Sequence, residues 1–198
     1  IGKIFIDVGA NIGIYSLSLF KKAKYTYAFE PDRNNYKKLV RNIKINHINT
    51  IKTIKKAVFD KNGSTATLYK SEIDKGWSSL MVHYTDGSEL VKLVTLDYFL
   101  IKNKIKNMGL IKIDVEGAEL KILKGSQKTI HRLHPPILIE FNKVFSKVSE
   151  NGMVDIYQLM TKSNYRAYRL KHDQLVKFKI ADISAIDNEN ILFVYRDQ

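Results

Sequence analysis

Residues 4–33, reading IFIDVGANIGIYSLSLFKKAKYTYAFEPDR, constrain this chain more than any other stretch. An apolar run leads into Asp7, a tight turn Gly9-Ala10-Asn11-Ile12-Gly13 follows, a helical segment carries the chain back, and a second apolar run ends on Glu30. This is a βαβ unit, which commits the chain to an α/β sheet with helices packed on its faces. Ligands in such sheets sit outside the carboxyl ends of the strands, so the turn and Glu30 lie side by side there. Glu30 follows Gly9 by 21 positions, the offset at which an acid accepts hydrogen bonds from the ribose of a bound nucleoside.

The turn itself separates two kinds of ligand. A dinucleotide site asks for G-x-G-x-x-G, whose second glycine lets the backbone approach a pyrophosphate. Here that position is Asn11 and the third is Ile14, which provides poorly for a pyrophosphate and ranks a nicotinamide oxidoreductase last. Asn tolerates left-handed backbone, so the turn can still close, and Gly13 permits close approach at the helix start. Adenosine and ribose without phosphate fit, and S-adenosyl-L-methionine is the common ligand of that kind. Asp7, Gly9, Ala10, Asn11, Gly13, Glu30 and Pro31 are the expected cofactor residues.

The 198 residues, 44% of them apolar, suit a single domain over 1–198 with a sizeable core. No repeat, linker or low-complexity run divides them. No apolar run approaches the length needed to span a bilayer and nothing resembles a signal peptide, so a cytoplasmic protein is expected. The chain opens on a strand without Met, which suggests an upstream segment able to close the pocket. With no cysteine, disulfides, thiolate catalysis and cysteine-ligated zinc are excluded. A net charge of +13 invites a polyanion: nucleic acid, phosphorylated or nucleotide-linked sugars, or an anionic lipid surface. The cations are mostly Lys and spread along the chain, with no aromatic-interleaved motif for single strands.

Strand and helix signals alternate. Asp32 caps a helix to about Asn46, residues 51–59 read as a third strand, and residues 64–96 read as short antiparallel pieces inserted at one edge, carrying the one Trp at position 77. GLIKID forms a fourth strand, a helix runs to about Leu133 until Pro135 and Pro136 break it, and residues 137–141 form a fifth strand ending beside Glu140. A helix over 153–163 precedes two last strands, 165–170 and 190–195.

FIDVGANIGIYS, AFEPDRNNYKKLVRN, AVFDKNGSTATLY, VTLDYF and IKIDVEGAELKILKG follow in this order over residues 5–125. With these the chain resembles the FkbM-type family of S-adenosylmethionine-dependent methyltransferases. The resemblance implies a class I methyltransferase (Rossmann-like) fold: a seven-stranded, mostly parallel sheet with an antiparallel last strand. It also implies methyl transfer to an oxygen of a sugar or other small-molecule acceptor. By analogy Asp7, Gly9, Asn11 and Gly13 form the cofactor loop, Glu30 is the ribose acid, Ala57 and Val58 flank the adenine, and Asp114 stands close to the transferred methyl.

An alcohol acceptor must lose its proton to a positioned base. Asp114, Glu116 and Glu119 place three carboxylates within six residues at a strand end, and Glu140 closes the next strand. Asp114, Glu116 and Glu140 are the catalytic candidates; Glu119 reads equally as a helix-end charge. Oxygen ligands from Asp114, Glu140 and Asn142 would suit Mg²⁺, but no tight ligand spacing supports a metal site. His83 is a weaker base candidate, and Trp77 to Leu80 could cover the pocket. A glycan or small-molecule acceptor leads. An RNA 2′-O-methyltransferase using Lys112 or Lys143, and a non-catalytic nucleoside-binding module, stand as alternatives.

Overall fold

The computed structural model describes residues 3–71, 78–146 and 152–196. β1 (Ile4–Val8) enters the turn at residues 9–13 and continues into α1 (Ile14–Leu19), β2 (Tyr25–Phe29) returns beside β1, and α2 (Arg33–Ile45) leads to β3 (Ile51–Ile54). Asp32 starts α2 as its sequence position implies: its carboxylate accepts the amides of Asn34 and Asn35, each at 2.7 Å, which satisfies two of the donors a helix start leaves open. Right-handed crossovers put α1 and α2 on one face of the sheet. There Leu39 and Ile43, one helical turn apart, bury against Ala28 of β2, with Leu17 and Phe20 packed alongside.

The second face carries the main core. After β4 (Ala57–Val58), β5 (Thr65–Lys70), β6 (Ser78–Ser79) and β7 (Ser88–Val94) come α3 (Leu96–Lys102), β8 (Met108–Ile113), α4 (Glu119–Lys124), α5 (Gln127–Leu133), β9 (Ile137–Asn142) and α6 (Lys143–Ser146). Ile6, Val8, Ile111, Ile113, Ile137 and Ile139 point into one cluster with Leu100 of α3, Ile122 of α4 and Ile130 of α5. Such strands read as continuous apolar runs because both faces are covered. The chain then passes through α7 (Gly152–Lys162), β10 (Tyr165–Lys171), β11 (Gln174–Lys177), a 3₁₀ turn (Ile180–Ala185) and β12 (Asn188–Tyr195).

The large sheet has the order β3-β2-β1-β8-β9-β12-β10-β11. Its first five strands are parallel, and β12 is antiparallel to both β9 and β10. The expectation of seven strands is therefore corrected to eight. The added strand, β11, folds back on β10 through His172 and Asp173, both left-handed (φ 47 and 59), as a two-residue hairpin turn requires. All four β11 residues are exposed, so no alternation announced them.

Three further boundaries differ from the sequence reading. The run 51–59 is two strands in two sheets: the Lys56 amide turns back onto the Ile54 carbonyl at 2.9 Å, and Ala57 then pairs with Leu93 in a small sheet of order β4-β7-β5-β6. α3 was unforeseen, although Thr95 caps it by accepting the Tyr98 amide at 3.1 Å. The single helix to Leu133 is α4 plus α5, parted at Gly125, where any Cβ would run into the Phe59 carbonyl. Trp77 lies outside the described residues.

Candidate active site

β1, β2 and β8 lie side by side and end together, and the turn after β1 is seated on its neighbours by backbone bonds. The amides of Gly9 and Ala10 both donate to the Phe29 carbonyl, at 3.0 and 2.9 Å. Gly9, Asn11 and Gly13 are left-handed, with φ of 79, 51 and 101; Asn11 supplies the conformation without a glycine, as its chemistry allows. Gly9 is required for a second reason. A Cβ there would collide with the main-chain carbonyl of Asp114, so the turn and the end of β8 touch backbone to backbone.

Glu30 organises this floor. One carboxylate oxygen accepts the Asn11 amide at 2.7 Å and the other the Asp32 amide at 2.8 Å. Each oxygen keeps a further lone pair for a ligand hydroxyl. The side chain is nearly buried, and that burial pushes its pKa up to about 8, against the two amide bonds that favour the anion.

Asp7, Lys112 and Asp114 form a charged row beneath and beside the turn. Asp7 is fully buried. Its Oδ2 accepts the Ser16 hydroxyl at 2.6 Å and its Oδ1 has no partner. Burial raises its pKa while the Lys112 charge pulls it down. Lys112, cross-strand from Asp7 and 3% exposed, reaches Asp114 Oδ2 at 2.8 Å and stands 4.3 Å from the Tyr15 ring centroid. The registers Lys112 to Leu138 and Ile113 to Ile139 carry Glu140 alongside Asp114. Burial, the Asp114 charge and a hydrogen bond with Asp114 push the Glu140 pKa up to about 7.

The loop after β8 is held in an unusual shape. Glu116 has left-handed backbone (φ 56), a strained conformation that recurs at functional sites. Its carbonyl accepts the Ser79 hydroxyl at 2.7 Å, and Ser79 Oγ in turn accepts the amides of Met81 and Val82 at 3.0 and 3.1 Å. β6 is thereby latched over the loop. Burial, then the Asp114 charge, push the Glu116 pKa up to about 9, so near pH 7 only about one side chain in a hundred is ionised. Its Oε2 is buried without a partner. Glu119 closes the loop from below, accepting the amides of Val115 at 3.3 Å and Gly117 at 3.1 Å.

These elements enclose a cleft that is open at its mouth. Gly9, Asn11, Glu30, Pro31, Ala57, Val58, Asp114 and Glu116 line it together. Ala10 lines a second opening on the far side of the turn, with Tyr15, Lys38, Lys112 and Asp114. Asp7 and Gly13 lie beneath the turn, and Glu140 faces a smaller neighbouring hollow with Glu119 and Asn142. Among the described residues no group of three His, Asp or Glu side chains is arranged to hold a metal ion. His83 is exposed and stacks on Tyr69, centroids 3.9 Å apart, away from the cleft lining. Sequence reasoning missed Phe29, Asn35, Lys56 and Leu68 in the lining, and missed that Lys112 is buried in the site; a lone cation inside the apolar run GLIKID was the available signal.

The sequence matches the methyltransferase FkbM domain over residues 7–169. The chain is 25% identical over 128 residues to the hexuronic acid methyltransferase AglP of Haloferax volcanii, covering 65% of this chain and 52% of that protein. The crystal structure of methyltransferase FkbM from Methylobacillus flagellatus superposes with a TM-score of 0.61 at 18% identity, covering 98% of this chain and 44% of that one. SMU.1697c of Streptococcus mutans, solved in complex with SAH, gives 0.56 at 11% identity, covering 97% and 88%. The chain thus spans about half the length of AglP and of the Methylobacillus protein. No helix among the described residues is long and apolar enough to cross a membrane. The cleft at the carboxyl ends of β1, β2 and β8 lies within the matched span, and the chain belongs to the methyltransferase FkbM domain family.

Proposed function

We propose that this chain is an S-adenosyl-L-methionine-dependent O-methyltransferase acting on a hydroxyl of a sugar, glycan or other small molecule. The observation that carries the reading is the placement of Glu30 on the floor of one cleft, with Ala57 and Val58 on one side and Asp114 and Glu116 on the other. An orphaned carboxyl oxygen on Glu116, which lines the cleft, and a turn that no Cβ at Gly9 would leave intact, suit a polar nucleoside ligand lying directly on backbone. Glu30 would hold the ribose hydroxyls and Ala57 and Val58 the adenine, while Asp7, buried beneath the turn, would fix the start of α1 through the Ser16 hydroxyl. The bound donor supplies an electrophilic methyl on a sulfonium.

The chain's part is alignment and proton removal. Walls that hold an acceptor oxygen in line supply much of the barrier reduction, up to roughly 7 to 11 kcal/mol in well-oriented cases. The Asp114–Glu140 pair would take the acceptor's O–H proton, and the donor, when bound, would supply the methyl. With its pKa pushed up to about 7, Glu140 titrates where a general base is most effective. Glu116, held protonated, serves as a hydrogen-bond donor to the acceptor.

The first test is calorimetric titration with S-adenosylhomocysteine; absence of binding at millimolar ligand would end this reading. Labelled donor with sugar, lipid-glycan and RNA acceptors then identifies the substrate class, and glycans containing a hexuronic acid are the first to try. Binding without transfer to any acceptor would favour a non-catalytic nucleoside-binding module.

A further inference from the structure

Seven exposed lysines without nearby acids gather at one end of the fold. β1, β2 and β8 are neighbours, and at their amino ends Lys3 precedes β1, Lys21, Lys22 and Lys24 fill the connection into β2, and Lys104 and Lys106 the connection into β8. Backbone bonds join the three segments: the Lys24 amide donates to the Lys3 carbonyl at 3.0 Å, and the Ile4 amide to the Asn107 carbonyl at 3.2 Å. Lys102 adds a seventh cation from the last turn of α3.

All seven lysines are exposed, and no Asp or Glu occurs in 20–24 or 102–107. Among the described residues none of the seven pairs with a carboxylate within 4.0 Å; the ion pairs found involve other cations. The acids at the ends of β1, β2, β8 and β9, Asp7, Glu30, Asp114 and Glu140, occupy the opposite end of the sheet. A helix C-terminus favours a cation within its last turn, which accounts for Lys102. It does not account for Lys3, Lys21, Lys22, Lys24, Lys104 or Lys106, which lie outside the helices. Ile45 and Ile101, 59% and 57% exposed at the same ends of α2 and α3, add apolar contacts to the cationic surface.

We propose that this end of the sheet docks on an anionic lipid surface, leaving the cleft turned toward the aqueous phase. Lipid headgroups ask for charge density and shallow apolar contact, and both are present. Nucleic-acid recognition draws on arginine forks and stacking aromatics, whereas all seven cations here are lysine. A polyanionic substrate would also need its phosphates led to the cleft, and this surface lies a strand length away, about 17 Å for five residues.

The test is co-sedimentation with phosphatidylcholine vesicles with and without about one-third phosphatidylserine, at low and high salt. Binding only to the anionic vesicles, released by salt and weakened at least about tenfold by combining Lys21→Glu, Lys22→Glu, Lys104→Glu and Lys106→Glu, is expected. The exposed control Lys92→Glu with Lys177→Glu should leave binding in place, and both variants should keep the parent's melting temperature and S-adenosylhomocysteine affinity. No vesicle binding, an equal loss in the control, or retention of RNA without vesicle binding would each overturn the proposal.

Discussion

Lys112 Nζ lies 2.8 Å from Asp114 Oδ2, with the lysine side chain 3% and the aspartate side chain 31% exposed. The cation is removed from water while its partner keeps contact with the crevice, so the pair presents an oriented carboxylate to the cleft. Losing one partner of such a pair leaves a charge uncompensated, which costs more than the pair itself contributes. Lys112→Met should therefore destabilise the fold by about 3 kcal/mol, read from denaturant midpoints, because Asp7 and Asp114 lose their common counter-charge. Adding Asp114→Asn should recover part of that loss. Additive effects of the two substitutions would contradict the coupling.

Glu30→Gln tests the floor of the site. Glutamine can accept one of the two amide bonds that Glu30 now accepts, and it turns a ligand acceptor into a donor. S-adenosylhomocysteine affinity should fall about tenfold to a hundredfold, from the loss of one or two hydrogen bonds in a buried site. An unchanged dissociation constant would remove Glu30 from the ribose role.

Glu116 and Glu140 make opposite predictions about pH. Glu116 titrates near 9 in the folded chain and near its ordinary value of about 4.3 when unfolded. Between those values the folded state holds a proton that the unfolded state has lost, so stability declines as pH rises across that window. Glu116→Gln should flatten the decline, seen as a smaller difference in denaturant midpoint between about pH 6 and about pH 8. A slope identical to the parent's would show that Glu116 is ionised in the fold.

Turnover should rise with pH and level off above about 7, as Glu140 sheds its proton and becomes a competent base beside Asp114. Glu140→Gln should remove that limb and lower kcat by about a hundredfold or more, in line with the loss of general-base catalysis. Asp114→Asn should do the same while leaving donor affinity within about threefold. If either substitution raised only KM, the pair would be an acceptor-binding group instead.

Lys70 ties the small sheet to the start of α2, bonding Asp32 at 2.6 Å and Glu89 at 2.8 Å. Burial works against the Asp32 anion, but the Lys70 bond and the amides of Asn35 and Asn34 outweigh it and hold its pKa below the ordinary value. The stabilisation this represents is present above the ordinary carboxylate range and is lost as pH falls through the depressed value. Lys70→Met should cost about 1 kcal/mol near neutrality, since the lysine is partly exposed, and shrink the acid-side loss of stability. An acid limb as steep as the parent's would refute this account of the clamp.

Much of this site was legible in residue spacing. Gly9, Asn11 and Glu30 could be placed because a left-handed turn and an acid some twenty residues later are local requirements of one βαβ unit. Asp114 and Glu140 followed because neighbouring parallel strands end together. Other features depend on partners distant in sequence. Ser79 reads as a polar residue until it is seen under the Glu116 carbonyl. Lys112 reads as an alternating surface position until Asp7 and Tyr15 close around it. Residues 51–59 are apolar enough to pass as one strand, and only the pairing of Ala57 with Leu93 shows that the chain changes sheets.

That change of sheets between Ile54 and Ala57 has a thermodynamic consequence. Glu30 follows a strand of the large sheet and Ala57 and Val58 lie in the small one, so a nucleoside bound as proposed would be gripped by two sheets tied together elsewhere, at Lys70 and Ser79. Affinity then measures preorganisation as much as contact. A substitution that touches no ligand atom but lets the two sheets drift apart weakens binding by the entropy of bringing them back together.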